Sequence, residues 1–184
     1  NKQKLKLNID TSDIYTIENL CHIIAYHCWK NKSLKGIQNI ISTIPTIKMR
    51  LEVIEGINDT TLIDDSYNND PEGLYRALDF LQNFDKDKPK SVIISGFKQI
   101  QYDYSKLMTE LNNRGVRKII TVGKELRDYS NNHYSSVDDL LLKYEFNELQ
   151  NHIILIKGAR QYGFEKIRKK LQKEFHETKL EVNL

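Results

Sequence analysis

The apolar positions of the chain follow one rhythm near the start and a mixture of rhythms afterwards. Residues 1–12 are polar and show no clear period. Ile17, Leu20, Cys21, Ile24 and Cys28 then recur at intervals of three and four, the spacing of one helix face. Ser12 or Asp13 stands where it can cap that helix. Leu34, Ile37, Ile40, Ile41 and Ile44 repeat the pattern in a second, shorter helix, which Pro45 stops. After Pro45 the texture changes. Residues 51–54 alternate weakly, 56–59 read as a turn and 60–63 are mostly apolar, which predicts a β-hairpin. Beyond it the pattern predicts a helix over about 71–84, a strand over 91–95 and a helix over 105–114. It continues with a strand over 118–122, a short helix within 123–129, a helix over 136–144, a strand over 153–157 and a helix over 164–176. Leu180, Val182 and Leu184 alternate like the opening of one more strand.

Continuous apolar strands separated by helices are the pattern of a sheet buried on both faces. The fold class expected is therefore α/β: a Rossmann-like, mostly parallel sheet with helices on both faces, preceded by a small helical remnant. Residues 1–44 read as the tail of another domain, with 45–48 as linker. Residues 45–176 form the α/β domain, and 177–184 read as a linker or the start of something further. The first residue is Asn rather than Met, so the chain reads as an excised piece of a longer one.

Composition narrows the function only a little. Twenty-eight Lys and Arg against 25 Asp and Glu give a net charge of +3, too balanced to point to nucleic acid. No apolar run approaches the roughly 18 residues of a membrane span, and no basic-then-apolar leader opens the chain. A cytoplasmic location is the expectation. Cys21 and Cys28 lie about two helical turns apart, roughly 10 Å along an axis. That is beyond disulfide reach, so both are expected to be free core thiols.

In open parallel sheets ligands sit beyond the carboxyl ends of the strands. Four stretches follow predicted strands: Asp64-Asp65-Ser66-Tyr67-Asn68-Asn69-Asp70-Pro71, Ser95-Gly96, Gly123-Lys124 and Lys157-Gly158-Ala159-Arg160. The first is dense in carboxylates and amides. Capping and turn formation account for Asn69, Asp70 and Pro71, but less well for Asp65, Ser66 and Tyr67. A carboxylate at a strand end can accept hydrogen bonds from the hydroxyls of a ribose. The last stretch places two cations ahead of a helix, which suits phosphate or carboxylate, or simply a solvated basic loop. Arg50, just before the hairpin, is suited to a bidentate phosphate contact, although a lone arginine is more often a surface charge. Gly123-Lys124 lacks the glycine spacing of a P-loop. There is no G-x-G-x-x-G and no zinc-type Cys/His cluster, and the five histidines are scattered.

The order of these clusters resembles a known family. Met49-Arg50-Leu51-Glu52-Val53-Ile54, the hairpin, Leu62-Ile63-Asp64-Asp65-Ser66-Tyr67-Asn68 and Pro71 resemble the start of the C-terminal domain of the Mur ligases. Those are ATP-dependent amide ligases of cell-wall precursor synthesis. The run Ile153-Ile154-Leu155-Ile156-Lys157-Gly158-Ala159-Arg160 is similar to that family's late Lys-Gly-Ser-Arg element. The helix with Glu18-Asn19 resembles the end of the family's central ATPase domain. The Ser-Tyr-Asn element followed by Pro is most similar to the branch that adds D-alanyl-D-alanine to UDP-N-acetylmuramoyl-tripeptide. Residues 177–184 resemble the first strand of an alanine racemase domain, which implies a ligase fused ahead of a racemase.

The resemblance implies an activity and a set of roles. ATP and Mg2+ would serve the ligase, with the metal ligands and P-loop lysine mainly outside this chain. Pyridoxal phosphate would belong only to the absent racemase domain. The partners implied are UDP-N-acetylmuramoyl-tripeptide, D-alanyl-D-alanine and the rest of the parent chain. Arg50 would stand near the ATP phosphates, Asp65 at the ribose hydroxyls, Asn19 near the adenine and Asn68 in the loop lining the nucleotide. Lys157 and Arg160 would line the acceptor side. The chain alone would be inactive. It departs from the family at Asp70, where a second Asn is usual, at Ala159, where Ser is usual, and at Ser95-Gly96-Phe97, where many relatives carry Gly-Asp-Met. Two other readings stand beside this one. A receiver-like signalling domain would use Asp64, Asp65 and Lys157 similarly, but Ser95 and Gly123 occupy the positions where its phosphorylatable aspartate is needed. A non-catalytic interaction domain of the same fold is the third, since fold does not fix function.

Overall fold

A computed structural model describes residue 6 and residues 14–43, 50–97 and 100–173. The chain divides into two compact units, residues 1–47 and 48–184.

Within the first unit, α1 (Ile14–Trp29) and α2 (Leu34–Ser42) pack together through Leu20, Ile37 and Ile41, with Ile23, Ile24 and Cys28 against them. Ser33 caps α2 by accepting a hydrogen bond from the Gly36 amide. One expectation fails here. Cys28 is half-buried at this small core, but Cys21 is exposed. Consecutive residues on a helix are turned about 100° from each other. With Leu20 facing inward, Cys21 faces out. The predicted cap at Ser12 or Asp13, the stop at Pro45 and the linker at 45–48 touch residues outside those described.

The second unit is the expected sheet. Strands β1 (Glu52–Glu55) and β2 (Thr61–Asp64) form the antiparallel hairpin. Strands β3 (Lys90–Ser95), β4 (Lys118–Val122), β5 (His133–Tyr134) and β6 (Ile153–Lys157) follow. The order across the sheet is β1-β2-β6-β3-β4-β5, parallel except at the first pair. Side chains of alternate residues serve opposite faces. Ile63, Val92, Ile94, Ile153 and Leu155 meet α3 (Pro71–Asn83) and α4 (Tyr104–Asn113) on one face. Leu62, Ile93, Ile120, Ile154 and Ile156 meet α5 (Val137–Lys143) and α6 (Glu165–Leu171) on the other. Most of these strand residues are wholly inaccessible to solvent, which is why the strands read as unbroken apolar runs.

Three details differ from the pattern in the sequence. Strand β5 is only two residues long, too short to show a period. Tight turns at Phe146–Leu149 and Arg160–Tyr162 add 3-10 structure. Helix α6 ends at Leu171, well before 176, because tertiary pairing takes over. The Ile57 amide donates to the Leu171 carbonyl and the Lys173 amide to the Glu55 carbonyl, so the chain joins the hairpin. Residues 174–184, with the predicted last strand, lie outside the described residues. Among the described residues no helix is long and apolar enough to cross a membrane.

Candidate functional site

The loop from Asp64 to Asp70 leaves the carboxyl end of β2 and is tied at nearly every residue. The Asp65 amide donates to the Ile156 carbonyl, prolonging the β2–β6 pairing. Asp64 is completely buried, and its Oδ1 accepts from the Ser66 amide at 3.2 Å and the Ser66 hydroxyl at 2.5 Å. Its Oδ2 faces Arg168 of α6 at 3.2 Å, and the same guanidinium grips both oxygens of Glu52 at 2.7 and 3.0 Å. Asn69 Nδ2 donates to the Ser95 carbonyl at 2.7 Å, which ties the loop to β3. Asp70 accepts from the Gly73 amide at 2.8 Å and caps α3, with Pro71 in the first turn. The departure from Asn at position 70 thus has a local role.

Lys157 sits at the end of β6 with its side chain 3% exposed. Its Nζ donates to Asp65 Oδ2 at 2.6 Å and to the Asn68 carbonyl at 2.9 Å. The ammonium is therefore engaged with the loop. Burial pushes the carboxyl groups of Asp64 and Asp65 above the ordinary carboxylate range. The Ser66 hydrogen bonds and Arg168 pull Asp64 back, and Lys157 pulls Asp65 back, without overcoming the loss of water.

The structure brings four of the six candidate residues together. Lys157 joins Asp65 and Asn68, and the exposed Arg50 lies with its guanidinium 5.1 Å from the centre of the Tyr67 ring. The Asn68 side chain is exposed, its Nδ2 3.3 Å from Asp70 Oδ2. Arg160 is exposed in the turn after β6, and Asn19 is exposed on α1 of the first unit. The carboxylate and amide of the loop, with Lys157 from β6 and Arg50 from ahead of β1 brought beside it, match in kind the ribose and phosphates of a nucleotide. Among the described residues no three His, Cys, Asp or Glu side chains stand close enough to hold a metal ion.

The other half of the same sheet edge holds a cavity of about 740 Å³ beyond β3, β4 and β5, lined by Phe97, Ile100, Gln101, Gly123, Lys124, Glu125, Ser135 and Tyr162. Sequence reasoning passed over it. In the sequence Gly123-Lys124 shows there only as a strand end that lacks the spacing of a phosphate loop. Asn69, read from the sequence as a cap or turn former, instead ties the loop to β3, and Arg168 carries no sequence signal, because each acts through a contact distant in the chain.

The fold, as distinct from the site, has known counterparts. No family model matches the chain. The fold is shared with ligases. The structure of a UDP-N-acetylmuramoylalanyl-D-glutamyl-2,6-diaminopimelate--D-alanyl-D-alanyl ligase from Acinetobacter baumannii matches with a TM-score of 0.72 at 18% identity, over 89% of this chain and 37% of that one. The MurF ligase of Thermotoga maritima in complex with ADP matches with a TM-score of 0.52 at 17% identity, over 82% of this chain and 35% of that one. Among curated proteins, the chain is similar to the UDP-N-acetylmuramoyl-tripeptide--D-alanyl-D-alanine ligase of Buchnera aphidicola subsp. Baizongia pistaciae. The two are 25% identical over 158 residues, 80% of this chain and 34% of that enzyme. The chain therefore spans about a third of the length of the curated relative it matches. The solved structures share the fold, and the curated ligase is what the sequence is similar to.

Proposed function

We propose that this chain is the C-terminal part of an ATP-dependent ligase that joins D-alanyl-D-alanine to UDP-N-acetylmuramoyl-tripeptide in cell-wall precursor synthesis. The observation that carries the reading is the loop 64–70. Its Asp-Asp-Ser-Tyr-Asn run is built as a fixed ledge at a strand end, in a chain whose curated relative and solved neighbours are such ligases. ATP would supply the phosphoryl group that activates the tripeptide carboxylate. This chain's residues would position it. Asp65, held by Lys157 through Oδ2, would offer its carboxylate to the ribose hydroxyls, and Asn68 would line the nucleotide. Arg50, already stacked beside Tyr67, would face the phosphates. Arg160 would lie toward the acceptor, and Asn19 toward the adenine. Mg2+ would be held mainly by residues outside this chain. We further propose that the chain alone is inactive, that the ligase works in the cytoplasm, and that a racemase domain follows it in the parent polypeptide.

Phosphate release by the ligase polypeptide carrying this chain tests the reading. With ATP, UDP-N-acetylmuramoyl-tripeptide and D-alanyl-D-alanine, release is expected to depend on the dipeptide and to collapse in Arg50→Ala. No release with any amine acceptor would leave a ligase-like fold with another task.

A further inference from the structure

We propose that the cavity beyond β3, β4 and β5 receives a short zwitterionic peptide, and that Lys124 reads its free carboxylate. The proposal rests on the ligase reading and names the residue that would select the acceptor.

Position comes first. The nucleotide loop leaves β2 and Lys124 follows β4, and the sheet order β2-β6-β3-β4 puts three strand spacings between them, about 14 Å. Both stand at the same carboxyl edge, so two ligands could lie side by side with a reacting centre above β6 and β3. Lys157, the cation expected on the acceptor side, is nearly buried and donates to Asp65 Oδ2 and to the Asn68 carbonyl. Among the described residues lining the cavity, Lys124 is the one cation, and it is exposed.

The chemistry of the lining suits a small peptide better than a phosphate. A phosphate calls for several converging donors, whereas one ammonium matches one carboxylate. Phe97, Ile100 and Tyr162 give apolar surface for methyl side chains, and Gln101 offers an amide to a peptide group. The Ser135 hydroxyl donates to Asp139 Oδ2 at 3.0 Å, which leaves it acceptor capacity, and Ser135 lines the cavity.

Glu125 sets the direction. A Cβ on Gly96 would lie 2.5 Å from the Glu125 Cβ, and one on Gly123 would lie 3.2 Å from Glu125 Oε2 and 3.0 Å from the Tyr162 ring. Glu125 is thus folded in against the ends of β3 and β4, beside Tyr162. Gly123 also holds a φ of +96°, which a side-chain-bearing residue would adopt only with strain. The bend at Gly123 turns Lys124 outward and Glu125 inward. A zwitterion laid between them would place its carboxylate at Lys124 and its ammonium near Glu125. Its amine would then point toward the middle of the edge, where the activated carboxylate must arrive.

The test uses the ligase polypeptide carrying this chain, with D-alanyl-D-alanine and its C-terminal amide as acceptors. Lys124→Met is expected to raise KM for the dipeptide about tenfold and to leave KM for ATP in place. Lys124→Arg should recover most of the loss. The wild type should prefer the dipeptide over the amide, and Lys124→Met should treat them alike. An unchanged dipeptide KM in Lys124→Met, or a preference for the free carboxylate that survives it, would overturn the proposal. An NMR titration of this 184-residue chain with the dipeptide separates the two readings. Shifts at Gly123, Lys124 and Gln101 that weaken with the amide support the site even if turnover fails. Turnover without such shifts, together with an unchanged KM in Lys124→Met, keeps the ligase and removes the site.

Discussion

The two ends of the sheet's carboxyl edge are built in opposite ways. At the β2–β6 end the buried charged groups are paired, while Arg50 and Arg160 stand exposed. Lys157 meets Asp65, Arg168 meets Glu52 and Asp64, and Asn69 and Asp70 fasten the loop to β3 and α3. At the β3–β4–β5 end a cavity of about 740 Å³ is left open, and Lys124 is exposed at its wall. The first end is tied by these bonds without any ligand, which would suit the nucleotide proposed for it. The second is shaped by a few side chains, so substitutions there can change what is bound without disturbing the fold. Order on one side is held by buried ion pairs, and those are costly to break singly.

Substitutions can break or sharpen this contrast. The largest effect is expected from Lys157→Met, which leaves Asp65 buried with no cation. It should lower stability by about 3–5 kcal/mol, a fall in Tm on the order of 10 °C, measured by denaturant and thermal unfolding. Adding Asp65→Asn should restore much of that loss, because no uncompensated charge remains. Next comes Gly158→Ala. Its Cβ would lie 2.5 Å from the ring of Phe164, which is wholly buried, so the cost should be about 1–3 kcal/mol in the same assay.

A pH effect of unusual sign follows for Asp64. Its native carboxyl titrates above the ordinary value of 3.8 because burial outweighs its partners. The folded state therefore binds its proton more readily than the unfolded state does. That contribution to stability is complete below pH 3.8 and is lost as pH rises through the native value. The stability difference between wild type and Asp64→Asn should accordingly shift in favour of wild type as pH is lowered toward 3.8. A shift the other way would mean that Arg168 dominates. The smallest effect belongs to the open end. Lys124→Met should change unfolding free energy by less than about 0.5 kcal/mol, and a larger loss would show that Lys124 holds the fold.

The sequence shows the long elements plainly and the short ones poorly. Runs such as Ile153–Lys157 are unmistakable because both faces of the strand are buried. β5, with two residues, carries no period at all, and Gln172 and Lys173, within the predicted 164–176 helix, pair with Gly56 and Glu55 instead. The candidate site was legible as a list of strand ends. Asp65, Asn68 and Lys157 could be named from position, but not that Lys157 turns inward to hold the other two. That depends on which strand lies beside β2, and the pairing of β2 with β6 spans the whole domain. Cys21 fails for a local reason, since its helix face is settled by Leu20 and Ile24 meeting α2.

One measurement tests the division of labour most directly. In the ligase polypeptide carrying this chain, KM for ATP and KM for D-alanyl-D-alanine would be determined in wild type, Arg50→Ala and Lys124→Met. Arg50→Ala should raise KM for ATP alone, and Lys124→Met should raise KM for the dipeptide alone. If either substitution moves both constants together, the two ends of the edge form a single site and the account is wrong.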